Sequence, residues 1–155
     1  MAFSSLSSSL LSPEVTIKVS STLDKSVGKK SLIDNNPETC WTSQQGLPQY
    51  IQLNFPAPVI PETISITFQG GFVGRRCVVQ VRQPGDDTAS KEWKPLTILY
   101  PEDVNRRQSF DLHPQDEFIS LEKGVESMKL TFVESSDFFG RITVYDVKLD
   151  GLVSI

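Results

Sequence analysis

The stretch PQYIQLNF, residues 48–55, decides the fold. In it the apolar residues Ile51, Leu53 and Phe55 alternate with polar ones. A period of two places successive side chains on opposite faces of an extended chain, so the stretch predicts a β-strand with one buried face. No segment carries the i, i+3, i+4 apolar stripe of a long amphipathic helix, and at most one short helical turn is expected, around 31–35.

The same alternation recurs along the rest of the chain. Ten prolines and nine glycines fall mainly between the alternating runs. About eight short strands separated by turn residues are typical of an all-β antiparallel sandwich, so a jelly roll is predicted. The polar segment 83–94 is predicted as a hairpin tip, with Trp93 on the returning strand. The further runs are TISITFQ (63–69), CVVQVRQ (77–83), PLTILY (95–100), SMKLTFVE (127–134) and ITVYDVKL (142–149).

The last of these runs breaks strict alternation. Ile142 and Val144 share one face, whereas the next apolar residue, Val147, falls on the other. One extra residue near Tyr145 or Asp146 restores the phase. We therefore predict a β-bulge at this point, with Asp146 as the side chain that it re-aims.

Length and composition indicate one domain. A chain of 155 residues with 38% hydrophobic residues can bury a single core. We expect a flexible Ser-rich tail over residues 1–13 and a single domain over 14–155. The start of the chain has no basic region followed by an apolar run, and nothing later approaches the ~20 apolar residues that span a bilayer. The sequence therefore predicts an intracellular protein, in the nucleus, the cytoplasm or both, that is not secreted and does not contact membranes.

Charge and reactive residues argue against several functional classes. The net charge of -4 has the wrong sign for direct binding of nucleic acid. Cys40 and Cys77 lie far apart among apolar neighbours and are interpreted as free, buried thiols. The single histidine, His113, lies in a polar turn, and no nucleotide-binding loop or zinc spacing is present. The prediction is a protein that is not an enzyme and requires no cofactor.

Two stretches carry a family resemblance. LIDNNPETCWTS (32–43), followed by the strand quoted above, resembles the first loop and strand of the discoidin-like domains, the C-terminal type of coagulation factors five and eight. VYDVKLDG (144–151) resembles the closing strand of that family. The resemblance implies a galactose-binding-like jelly roll. In the loop, Trp41 is interpreted as an apolar anchor rather than a platform on which a sugar stacks.

Four shorter stretches narrow the resemblance. Within the discoidin superfamily they resemble a family of small intracellular repressors that associate with a testicular orphan nuclear receptor. This implies a non-catalytic adaptor or corepressor, expected to be a monomer, with a nuclear receptor as its protein partner. Two alternatives stay open: a carbohydrate- or lipid-binding discoidin module, and a subunit of a larger assembly such as intraflagellar transport. The stretches are ETCW (38–41), FQGGF (68–72), YPED (100–103) and DFFGR (137–141).

Oxygen-bearing side chains make the first loop a candidate calcium site. Hard cations bind several oxygens, and Asp34, Asn36 and Thr39 supply them if the closing strand adds Asp146. The discoidin resemblance implies that these four lie near one another, which makes a structural calcium ion possible. The alternative is that Asp34 and Thr39 only cap the turn through hydrogen bonds to the backbone.

Two glycine-containing turns make the second candidate site. QGGFVGRR (69–76) and SSDFFGR (135–141) combine aromatic residues with arginines, as interface hot spots do. The alternative is that a phenylalanine closes the end of the core and an arginine pairs with Asp137 or Glu134. We favour that alternative for Phe139. The predicted binding residues are Phe72, Arg75, Arg76, Phe138 and Arg141.

Overall fold

A computed structural model describes residues 2–85, 92–115 and 119–155. Among them are nine strands, all paired antiparallel, which confirms the predicted all-β sandwich. Two short 3₁₀ helices, Lys25–Val27 and Lys29–Ile33, follow the second strand. The strands are β1 (Ser8–Ser9), β2 (Thr16–Val19), β3 (Trp41–Thr42), β4 (Gln49–Phe68), β5 (Gly74–Arg82), β6 (Lys94–Leu99), β7 (Arg107–Asp111), β8 (Val125–Ser135) and β9 (Thr143–Val153).

The opening stretch is the first half of the long strand β4. Two separate strands were expected here, because prolines cannot donate to a sheet ladder. The chain instead stays extended, and Pro56 and Pro58 fall within the shift of register between Asn54 and Val59. Residues 49–54 pair with β2 and β8, whereas 59–68 pair with β7 and β9. The strand β4 therefore crosses from one sheet to the other and joins them.

The two sheets enclose one core. The first has the order β2, β4, β8, β5, β6; in the second, β4 lies between β7 and β9, and β9 also pairs with β1 and β3. Ile51 and Leu53 of the first sheet and Ile66 of the second are at most 1% exposed. The rings of Phe68 and Phe132 meet edge to face across the sheets, with centroids 5.7 Å apart.

The first residues differ from the tail expected over 1–13. Ser8 and Ser9 pair with Asp150 and Gly151 of β9, and Leu10 is only 5% exposed. Sheet pairing uses backbone groups alone, so a serine-rich stretch pairs as well as an apolar one once a single leucine is anchored in the core. The position opposite Ser8 must be glycine, because a Cβ at Gly151 would collide with the carbonyl oxygen of Ile60.

The irregularity in the closing strand is the predicted bulge. Thr67 faces Asp146 and Phe68 faces Val144, so Tyr145 is the extra residue. Beyond it Val147 is again buried, at 3% exposed. The carboxylate of Asp146 accepts a 2.9 Å hydrogen bond from the Thr67 hydroxyl.

Smaller differences concern the short elements. The second 3₁₀ helix covers part of the predicted turn at 31–35, whereas the first was not predicted. The edge strand β7 was also missed, because none of its five side chains is fully buried. Most of the predicted hairpin tip, 86–91, lies outside the described residues. Trp93 directly precedes the returning strand β6 and does not lie within it.

Candidate functional site

The two ends of the sandwich carry different features. Because β8 and β9 are antiparallel neighbours of β4, the turn between them lies at one end and the chain termini, where Phe3 bridges Ser154, lie at the other. Four connecting segments meet around the β8–β9 turn, and we refer to them together as the loop end. The segments are 43–48, 69–73, 100–106 and 136–141.

Hydrogen bonds fasten the four segments of the loop end to one another. The backbone N–H groups of Gly70 and Gly71 donate to the side chains of Asn105 and Asp103, at 2.9 and 2.8 Å. The hydroxyl of Ser136 donates to the same carboxylate oxygen of Asp103, at 3.2 Å. None of these three polar residues was predicted to have this role. They hold the loop end in one arrangement.

The segment 136–141 forms an apolar tip. Phe138 is 93% exposed and Phe139 is 54% exposed, with their rings edge to face at 5.2 Å. The prediction that Phe139 closes the core is therefore wrong. Gly140 adopts φ +81° directly against the backbone of Gly46, whose N–H donates to the Phe139 carbonyl. This contact fixes the turn with both rings directed outward.

The Arg141 side chain stabilises the tip through contacts with Asp137, Phe72 and Phe139. Its Nε donates a 2.9 Å hydrogen bond to Asp137, and its guanidinium carbon lies 5.2 Å from the ring centre of Phe72 and 5.8 Å from that of Phe139. The hydrogen bond from Arg141 holds the pKa of the Asp137 carboxyl below its ordinary value. Arg141 was predicted to contact a partner directly. In the structure it also orients the rings of Phe72 and Phe139.

Stability should depend on pH through Asp137. Because its pKa is lower in the folded than in the unfolded chain, the ion pair stabilises the fold fully above about pH 5, and this contribution is lost as the pH falls through the folded-state pKa. We expect wild type to be more stable than Asp137→Asn at neutral pH, with the difference shrinking towards about pH 2. Urea denaturation of both proteins across this range measures it. A difference that stays constant with pH would contradict the assignment.

Arg75 and Arg76 lie where β5 leaves the loop end. Gly74 faces Ser135 and Arg76 faces Glu134, so Arg75 is an extra residue in the strand. Strict alternation would bury one of two successive side chains, and the bulge instead leaves both arginines exposed. The structure thus brings Phe72 and Arg141 together, connects Phe138 to them through Phe139, and sets the arginine pair on the adjoining strand.

Two exposed apolar residues of the loop end were missed. Leu47 is 42% exposed and lies against Gly140, and Tyr100 is 64% exposed immediately after β6. Each directly precedes a proline. The available sequence signal is therefore an apolar residue directly before a turn proline, at or beyond the end of an alternating run.

The four predicted calcium ligands do not share a hydrogen-bonded site. Asp34 accepts a 2.6 Å bond from the Thr39 hydroxyl and a 2.9 Å bond from the backbone N–H of Asn36. These bonds lower the pKa of Asp34, that from Thr39 most. Asp146 instead bonds Thr67 and lies 3.9 Å from Arg107. The geometry fits the capping alternative, and no cluster of three His, Cys, Asp or Glu side chains occurs within the described residues.

Capping makes a specific prediction for Asp34. Asp34→Ala removes two hydrogen bonds of an exposed turn, so we expect a loss of about 1 kcal/mol in the free energy of unfolding. The loss should be the same with calcium chloride and with a chelator. Thermal unfolding of both proteins in each buffer measures it. A calcium-dependent rise in the melting temperature of wild type alone would restore the metal site.

Trp41 of the first loop has a structural role. Trp41 is 0% exposed, and its Nε1 donates to the carbonyl of Ser21 at 3.0 Å, which confirms it as an apolar anchor. Cys77 is a free thiol whose pKa is raised by burial, and Cys40 is free and half-buried.

None of the helices in residues 2–85, 92–115 and 119–155 has the length and apolar composition needed to cross a bilayer.

The sequence is similar to that of one group of curated proteins over most of its length. It is 37% identical to the nuclear receptor 2C2-associated protein of Bos taurus over 146 residues, 92% of this chain and 95% of that protein. Identity to the Homo sapiens protein is 37% over 92% and 96% of the two chains, and identity to the Danio rerio protein is 36% over 94% and 97%. No family model matches the sequence.

Solved structures similar to this chain have the predicted fold. An F5/8 type C domain from Bacteroides fragilis aligns with a TM-score of 0.72 at 16% identity, over 94% of this chain and 96% of that one. A family 32 carbohydrate-binding module of Clostridium perfringens NanJ, solved with galactose, aligns with a TM-score of 0.70 at 16% identity, over 94% and 99%. These similarities establish the discoidin-like, galactose-binding-like fold.

Proposed function

Because this chain belongs to the family of nuclear receptor 2C2-associated proteins, we propose that it is a non-catalytic adaptor or corepressor that binds a protein partner through its loop end. The observation that carries the proposal is the tip of the β8–β9 turn. There Phe138 is 93% exposed and Phe139 is 54% exposed, on a turn whose backbone is fixed from both sides.

Rigid aromatic side chains are favourable anchors for a protein interface. Binding loses less conformational entropy when the contact residues are already held in place, and here Arg141, Asp137 and Gly140 hold them. Aromatic residues and arginine are also enriched at interface hot spots. The burial of Phe138 and Phe139 by a partner would remove from water apolar surface that the isolated chain leaves exposed.

The charged rim beside the tip fits a partner with acidic groups. Arg75 and Arg76 are both exposed at the start of β5, next to the loop end. Rim charges act mainly on the rate of association and on the choice of partner. The names of the relatives make a nuclear receptor of the 2C2 kind the first partner to test. Repression would follow if the bound chain competes with DNA or with receptor dimerisation.

Affinity purification from native cell extract tests the proposal. Wild type is compared with the folded variant Arg75→Glu, Arg76→Glu, and co-purifying proteins are identified by mass spectrometry. We expect a stoichiometric partner that the variant loses or binds at least about tenfold more weakly. A glycan array is probed with the same two proteins. Absence of a protein partner, together with glycan binding that the variant loses, would overturn the proposal in favour of a carbohydrate-binding module.

A further inference from the structure

A second feature of the surface is a basic pocket whose lining residues lie outside the four segments of the loop end. Its walls are the end of β2, the two 3₁₀ helices and the start of β4, and this open pocket has a volume of about 690 Å³. Four of the nine lysines of the chain line it, and no aspartate or glutamate does. We call it the lysine pocket. The four residues are Lys18, Lys25, Lys29 and Lys30.

The charge of the lysine pocket contrasts with that of the whole chain. The protein carries a net charge of -4, so concentrating four cations around one cavity leaves the rest of the surface more acidic still. Asp24 adjoins the pocket, but its Oδ1 accepts hydrogen bonds from both the backbone and the hydroxyl of Ser26. Within the described residues, no salt bridge neutralises any of the four lysines.

The lining offers hydrogen-bond donors in addition to charge. The hydroxyl-bearing residues Thr22, Ser31 and Tyr50 border the cavity. A fifth lysine, Lys129, lies over the Tyr50 ring, with its Nζ 4.3 Å from the ring centre. Ammonium and hydroxyl groups around a cavity that no carboxylate of the described residues lines form a site complementary to carboxylates from outside the chain.

We propose that the lysine pocket binds an acidic peptide segment of the protein partner. This inference rests on the proposed function, because it supplies a second contact for the same partner. Hydrogen bonds connect the lysine pocket to the loop end. Gln44 donates from its backbone to the Ser21 hydroxyl at 3.0 Å and from its side chain to the Thr22 carbonyl at 3.3 Å, while Gly46 in the same segment holds the carbonyl of Phe139.

Shape and charge favour a peptide over a membrane surface. The four lysines are exposed, and they line a concave site of about 690 Å³, a size that admits part of a peptide but that a flat bilayer surface does not enter. An anionic membrane would also approach the acidic remainder of the chain, which repels it over a Debye length of about 8–10 Å. An extended acidic peptide places its carboxylates in the cavity without that contact.

Binding of a fluorescein-labelled polyglutamate peptide, measured by fluorescence anisotropy at low salt, tests the inference. The pocket variant is Lys25→Glu, Lys29→Glu. The matched control is Lys123→Glu, Lys148→Glu, which changes the net charge equally at exposed positions away from the pocket. We expect wild type to bind, with an affinity that falls with added salt, the pocket variant to bind about tenfold more weakly, and the control to change by about twofold at most.

Three results would overturn the inference. They are no binding by wild type at low salt, equal weakening in the pocket variant and the control, and lysine-dependent binding to phosphatidylserine vesicles without peptide binding. The last would assign the pocket to a membrane surface. The peptide experiment does not involve Phe138, Phe139 or the arginine pair, so it can fail while the purification experiment succeeds, and the reverse.

Discussion

Substitution of Trp41 by alanine is expected to lower the free energy of unfolding by about 3–5 kcal/mol, the range for removal of a fully buried aromatic side chain. Trp41 is 0% exposed and pairs with Val144 of the closing strand, and its Nε1 donates to the Ser21 carbonyl. The indole therefore connects the first loop, the closing strand and the segment after β2. Because domains are stable by only about 5–15 kcal/mol, the variant should be partly unfolded at 37 °C.

Two controls separate the contributions of Trp41. Trp41→Phe keeps a large ring but leaves the Ser21 carbonyl without its donor, so a loss of about 1–2 kcal/mol is expected. Trp93→Ala removes the other tryptophan, which is half-buried beside the Arg82 guanidinium, and should cost less than Trp41→Ala. Urea denaturation followed by circular dichroism measures all three. Equal losses for the two tryptophans would contradict the anchor role.

The double substitution Phe138→Ala, Phe139→Ala is expected to weaken the proposed binding to nuclear receptor 2C2 at least about a hundredfold, because hot-spot aromatics contribute about 2 kcal/mol or more each and a factor of ten in affinity is about 1.4 kcal/mol. Stability should change little, since Phe138 is 93% exposed and Phe139 54%. Isothermal titration with the purified human receptor measures the affinity.

The opposite end of the sandwich supplies the matched control. Leu6 is 79% exposed and Ile155 is 81% exposed, so Leu6→Ala, Ile155→Ala removes a similar amount of exposed apolar surface near the chain termini. This variant should bind the receptor like wild type. If both double variants lose affinity equally, the contact is non-specific hydrophobic association and the assignment of the loop end fails.

The parts of the fold that were predictable rest on local periodicity. The alternation around Ile51 and Leu53 correctly gave the buried face of β4, and the break of phase before Val147 correctly gave the bulge at Tyr145. In each case the inward and outward positions of a strand differ in polarity, so the sequence records them directly.

The features of the fold that the sequence did not predict depend on contacts between residues far apart in the chain. Ser8 and Ser9 join the sheet only because β9 offers a free edge. Phe139 was expected inside because its residue type is usually buried, yet its orientation is set by the contact of Gly140 with Gly46, residues far apart in the chain.

The candidate site was predicted only in part, because contacts between residues far apart in the chain also form it. The aromatic and arginine content of the tip was visible in the sequence, but the side chains of Asp103 and Asn105 that fasten the loops act across more than 30 positions. The lysine pocket is a further example. Lys18 comes from β2 and the other three lysines from the 3₁₀ segment, so only the fold reveals that they surround one cavity.

Hydrogen–deuterium exchange of the chain, alone and mixed with nuclear receptor 2C2, the proposed partner, tests most directly whether the loop end is the partner-binding surface. We predict slower amide exchange on binding in segments 43–48, 69–73, 100–106 and 136–141, with strongest protection around Phe138 and Phe139, and no change near the termini. Protection confined to the outer faces of the sheets, with the loop end unchanged, would contradict it.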